Sequence, residues 1–175
     1  MKKHLLVTCA LLAFAIPMLA QQFRWVPFKE PDLKFAILFP TDPVRNAPDV
    51  KKADDGSVQS TGYLFVSSTQ GVYVAIAGRT DYNFTVNAER ELIADRDNFV
   101  KATDSNLDNS RRYDFQSGDE KLPAMEFAAE NSTWFYKGVF VVRENNAYCA
   151  LFGYVKGQDY SSATAKFLDS FEITK

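Results

Sequence analysis

Three short runs in this chain are apolar on both faces of a strand: Phe35–Phe39 (FAILF), Val72–Ala77 (VYVAIA) and Tyr148–Val155 (YCALFGYV). Alternation puts Phe35, Ile37 and Phe39 on one side of the first run and Ala36 and Leu38 on the other. A strand apolar on both sides must be covered on both sides, which requires a place between two layers. Such runs are common in parallel sheets, yet the links here are too short for parallel crossovers. STQG joins Tyr63–Ser67 to Val72–Ala77, and ENNA joins Trp134–Arg143 to Tyr148–Val155, so both pairs are expected to be antiparallel hairpins.

Two segments have the periodicity of covering helices. Asn87 caps AERELIADRDNFVKA, with Leu92, Ile93, Phe99 and Val100 at helical spacing and acids near its start. Ser161 caps SATAKFLDSF, where Ala163, Phe167, Leu168 and Phe171 form one stripe. One helix on each face of a mainly antiparallel sheet gives an α+β fold, a three-layer α/β/α sandwich. The strands are expected at Phe23–Phe28, Leu33–Phe39, Gln59–Ser67, Val72–Arg79, Arg111–Gln116, Ala124–Ala129, Thr133–Arg143 and Tyr148–Val155. Pro40 ends its strand because it offers no N–H to a ladder. The Pro- and Asp-rich stretch Thr41–Gly56 is expected to be a mobile surface loop.

The first twenty residues, MKKHLLVTCALLAFAIPMLA, have the organisation of a secretory signal peptide: two lysines, an apolar body too short to span a bilayer stably, and a small residue, Ala20, at the cut. Residues 21–175 then form one domain, secreted or periplasmic. Met18 at the minus-three position keeps an uncleaved anchor as the alternative, whereas Leu6-Val7-Thr8 before Cys9 is too poor a lipobox for a lipoprotein. Removing Lys2 and Lys3 leaves 18 basic against 22 acidic side chains, a net charge of −4. Such a surface has no attraction for polyanions, and Arg111-Arg112 is read as a solvated strand edge, so no nucleic-acid partner is expected.

Two absences narrow the chemistry. The single histidine, His4, leaves with the signal peptide, and Cys149 then has no intramolecular partner. A lone cysteine in an apolar strand is read as an inert core residue, with no histidine to activate it. No S-x-x-K motif and no glycine-rich phosphate loop occurs in the mature chain. Asp104, Asn106 and Asp108 have the alternate spacing of a calcium loop, but Asn109 stands where glycine is needed and Phe115 where a bidentate glutamate is needed. Glu126 and Glu130, four apart on one strand, are the most plausible acid pair, and their default reading is solvent-facing. No catalytic, cofactor-binding or metal-binding residue is assigned, and no cofactor is expected.

Aromatic side chains are in surplus: fourteen phenylalanines after Phe14 is removed, eight tyrosines and two tryptophans. Trp134, Tyr136 and Phe140 share one strand face, and Trp25 lies on a candidate edge strand. An exposed subset of these would mark a binding patch.

FAILFPTDPV, LPAMEF at Leu122–Phe127, AYCALFGYV and the closing KFLDSFEI follow one another in the order and spacing of PsbP/Mog-like domains, which the chain resembles over nearly its whole mature length. It departs at Ala124, near which many members carry glycine. The resemblance implies a scaffold for binding roles with no shared catalytic residues. The expected function is therefore that of a non-enzymatic binding or accessory module contacting an envelope or extracellular protein. The alternative is a carrier of a small apolar ligand, held between the sheet and a helix. An enzyme would have to work with carboxylates, lysine or tyrosine alone.

Overall fold

The computed structural model describes residues 23–175. The segment read from the sequence as a signal peptide, with His4, Cys9 and Ala20, lies outside the described residues.

Eight strands form one antiparallel sheet, and three more form a second, smaller one. The large sheet contains β3 (Val44–Arg45), β4 (Asp49–Lys52), β5 (Val58–Thr69), β6 (Tyr73–Tyr82), β7 (Asn106–Ser117), β8 (Glu120–Glu130), β9 (Trp134–Arg143) and β10 (Asn146–Val155). Its order is β3-β5-β6-β10-β9-β8-β7, with β4 also on the outer edge of β5. The small sheet places β2 (Phe35–Phe39) between β1 (Val26–Glu30) and β11 (Glu172–Ile173). The two expected hairpins are present: β5 pairs with β6 and β9 with β10, both antiparallel.

Helix α1 (Ala88–Ala102) begins where the sequence indicates, with the Arg90 N–H donating to Asn87 Oδ1 at 3.0 Å and Glu89 and Glu91 in the first turn. It ends at Thr103, followed by Asp104 at a φ of 49°. Helix α2 spans Ser161–Asp169, so Ser161 is its first residue and not its cap. The cap position is Tyr160, and the loop before the helix is held by Asp159, whose Oδ1 accepts from the Ser161 N–H at 3.1 Å and hydroxyl at 2.6 Å.

Strand alternation sorts the large sheet's side chains into two apolar clusters. On one face Met125, Phe127, Ala129, Phe140 and Val142 pack with Leu92 of α1. On the other, Ala124, Val139, Val141, Ala150 and Phe152 pack with Phe167 of α2 and with Phe35, Ile37 and Phe39 of the small sheet. Several rings interlock in that second cluster; Phe39 meets Phe167 at 5.6 Å and Phe35 meets Phe65 at 5.8 Å, both edge-on.

Two expectations are corrected here. Strand β2 does not lie within the main sheet between two layers. It is the centre of the small sheet, with Phe35, Ile37 and Phe39 buried against the large one, while Ala36 and Leu38 are half-exposed on the outer side. The second apolar face had suggested a cover, but with Ala36 and Leu38 half-exposed β2 is fully covered on one face only. Thr41–Gly56 is not a free loop either. After Pro40 the Thr41 N–H and hydroxyl bond Ser67 Oγ at 3.2 and 2.7 Å, and β3 and β4 then pair with β5. Those short strands are exposed on both faces, so they lack the alternation that would have revealed them. Within the stretch, Asp54-Asp55-Gly56 forms a turn, with Gly56 at a φ of 83° and the Ser57 N–H donating to Asp55 Oδ1.

Candidate functional site

Three half-exposed aromatics, Trp134, Phe135 and Tyr136, follow one another at the start of β9. Asn131 fixes this end of the strand: its Oδ1 accepts from the Thr133 and Trp134 N–H groups at 2.9 and 2.8 Å, and its Nδ2 donates to the Thr103 carbonyl at the end of α1 at 2.9 Å. The link between β8 and β9 is thereby fastened to the helix, and Trp134 has a defined backbone position.

From Trp134 a series of rings leads inward. Trp134 and Tyr136 stack at 6.1 Å with 11° between their planes, Tyr136 meets Phe99 of α1 edge-on at 5.3 Å, and Phe99 meets Phe127 at 5.3 Å. Phe127 then stacks on Phe140, again at 5.3 Å. The shared face of Trp134, Tyr136 and Phe140 is therefore as expected, but only its outer end is accessible: Phe140 is buried, while Trp134 and Tyr136 are half-exposed. Trp25 is placed elsewhere, just before β1, with the Lys166 ammonium 4.7 Å from its ring centroid.

Trp134 stands between two open clefts. One, of about 270 Å³, is bounded by Tyr136, Val74 and the β5–β6 turn through Ser68, Thr69 and Gly71. The other, of about 430 Å³, is polar, with Asp104, Asn106, Ser132 and Thr133 around it. Burial raises the Tyr136 phenol above its ordinary range, opposed by a hydrogen bond with Asn131. This site can offer a stacking surface flanked by hydroxyl and amide groups.

The other sequence candidates are dispersed. Asp104 and Asn106 border the polar cleft, but Asp108 sits in a β-bulge of β7, bonded to Asn109 at 3.2 Å. Among the described residues no three acidic, histidine or cysteine side chains are grouped to hold a metal ion. Glu126 pairs with Arg111 at 3.0 Å and Glu130 with Lys156 at 3.1 Å, so each carboxylate is engaged by its own cation. Arg112, beside Arg111, pairs with Glu89 of α1 at 2.7 Å. Ala124 lies inside β8, opposite Tyr113 and Val141, and no turn occurs there.

One cluster was missed from the sequence. Glu91 and Asp95, one turn apart on the sheet-facing side of α1, lie beside Tyr82, Lys51 and Cys149. The Tyr82 hydroxyl donates to Glu91 Oε1. Burial, and then the negative charge of Glu91, push the Asp95 carboxyl up to about 7, with Lys51 opposing. The signal was available, since helical spacing puts residues 91 and 95 on the stripe of Leu92 and Phe99.

The fold has a precedent among solved structures. The solution structure of cyanobacterial PsbP (CyanoP) from Synechocystis is similar to this chain with a TM-score of 0.50, covering 89% of this chain and 95% of its own, at 9% sequence identity. The chain thus has a PsbP-like fold, α+β with a mostly antiparallel sheet and two helices. No family model and no curated protein sequence matches it.

Proposed function

We propose that the mature chain is an exported, non-enzymatic binding module, a distant member of the PsbP/Mog-like family, that contacts an envelope or extracellular protein through the Trp134 end of β9. In this reading α1, the large sheet, and α2 with the small sheet are the three layers of an α/β/α sandwich. The observation that carries the proposal is the Trp134–Tyr136 stack, held half-exposed by Asn131 between an apolar-walled and a polar cleft. Aromatic side chains fixed at low conformational cost and ringed by polar groups are the usual anchors of protein interfaces. Export is supported by the amino-terminal sequence pattern. No helix among the described residues is long and apolar enough to cross a membrane.

The test is site-directed photocrosslinking in the native envelope. A crosslinker at Thr133 or Gln70, beside the stack, should give one discrete protein adduct that Trp134→Ala abolishes, while a crosslinker at Lys29 on the small sheet gives none. Equal labelling at all three positions would defeat the proposal. The alternative, a small apolar-ligand carrier, draws on the same rings. Its natural site is the 270 Å³ cleft, slightly below the ~300 Å³ usual for such ligands and open to solvent.

A further inference from the structure

The two edges of the large sheet are built differently. On one side the outer edge of β5 is occupied by β3 and β4, short strands preceded by Pro43 and Pro48, with a register shift between Lys51 and Lys52. Short strands, prolines, lysines and bulges are the devices by which proteins prevent a sheet from extending. On the other side β7 is long and pairs only with β8 among the described residues. Beyond the bulge near Asp108 its register against β8 is unbroken from Asn109 to Ser117, and that stretch contains neither proline nor lysine. A regular strand of this length, with one row of N–H and C=O groups directed outward, is a template for another strand.

We propose that the β7 edge is the interface of a two-fold symmetric dimer, in which Asn109–Ser117 pairs antiparallel with the same segment of a second copy about an axis through Tyr113. The choice of partner rests on charge. For the faces of a continuous sheet to match across a two-fold axis, each residue must oppose one of the same parity. With Tyr113 opposite itself, Arg112 faces Asp114 of the second copy, and Asp114 faces its Arg112. Arg111 then lies opposite Phe115 on the other face, where within one chain its guanidinium already lies 5.8 Å from the Tyr113 ring. Shifting the axis to Arg111 or Arg112 sets like charges directly against each other, which cross-strand pairs disfavour.

Both members of the new pair are accessible. Arg112 is 55% exposed in its contact with Glu89, and Asp114 is 68% exposed in a loose 4.0 Å contact with Lys121, so little is given up in re-pairing them. Dimerisation makes a single sheet twice as wide and leaves the Trp134 end of each copy outside the strand-pairing seam.

Strand pairing over this length stays at the small end of specific interfaces, so a dissociation constant of about 10–100 µM is expected. The experiment is sedimentation equilibrium or light scattering on residues 21–175 up to about 1 mM, with far-UV circular dichroism verifying folding. The wild-type mass should double with concentration. Arg112→Asp and Asp114→Arg should each remain monomeric over the range in which wild type dimerises, and the double reversal should dimerise again because the opposed charges are restored. A wild-type chain monomeric throughout would overturn the proposal. So would a dimer that either single reversal leaves intact, or a folded double variant that stays monomeric.

Discussion

The ring of Tyr136 occupies the space that a side chain on Gly153 would need. The two residues are directly opposed on β9 and β10, and a Cβ on Gly153 would lie 2.5 Å from Tyr136 Cδ1 and 3.2 Å from Val74 Cγ1. The glycine serves neither a turn nor a positive φ; it lets an aromatic ring lie across the sheet next to the Trp134 cleft.

Gly153→Ala should therefore act on the site before it acts on the fold. The Tyr136 ring must move, breaking its stack with Trp134 and its edge contact with Phe99, and overpacking of this kind costs about 1–3 kcal/mol. Near-UV circular dichroism should lose aromatic signal while the far-UV spectrum is retained. An unchanged near-UV spectrum would mean that Tyr136 is not held by the glycine.

Ile37→Ala tests the seat of the small sheet. Ile37 is 2% exposed between Phe35 and Phe39, facing the large sheet, and its truncation should cost about 2–5 kcal/mol in urea unfolding. Leu38→Ala, on the half-exposed outer side, should cost clearly less. Equal losses would mean that both faces of β2 are covered, contrary to the observed arrangement.

That pair of substitutions also marks where the sequence was informative. Periodicity located α1, both hairpins and most of the longer strands to within a few residues, where an apolar stripe is buried and its spacing visible, whereas β7, exposed along its first seven residues, begins at Asn106 and not at Arg111. It could not assign strands to sheets: FAILF reads the same whether it is the centre of a small sheet or of a large one. Strands β3, β4 and β11 bury too little to leave a pattern, and they exist because β5 and β2 have edges to satisfy. The Trp134–Tyr136 face followed from alternation alone, but its accessibility did not, since Phe140 on the same face is buried. Asp95 was hidden by its type, because acids on a helix are ordinarily solvent-facing.

Cys149 should be inert in the folded protein. Burial, and then the negative charge of Asp95, push its thiol up to about 12, leaving almost no thiolate at neutral pH. At pH 8 the native chain should react with a disulfide reagent at least about 100-fold more slowly than the chain unfolded in urea. Comparable rates would show a thiol open to solvent.

Asp95 gives the stability a pH dependence of predictable sign. Its carboxyl has an ordinary value of 3.8 and is raised to about 7 in the fold, where Glu91 of α1, Tyr82 of β6, Lys51 of β4 and Cys149 of β10 surround it. The folded state thus holds this proton more tightly than the unfolded chain. The resulting stability is fully present below about pH 4, is lost as pH rises through 7, and is constant beyond. Asp95→Asn keeps the shape and removes the ionisation. The variant should gain stability over wild type progressively between about pH 4 and 7, reaching about 2 kcal/mol at pH 8, roughly half of what the full shift would give because the carboxyl retains some access to water. Urea unfolding of both proteins at pH 4, 6 and 8 measures this directly. A stability difference that stays constant across the three values would show that the Asp95 carboxyl titrates in the fold as it does in the unfolded chain, and that α1 carries a solvated acid at this position.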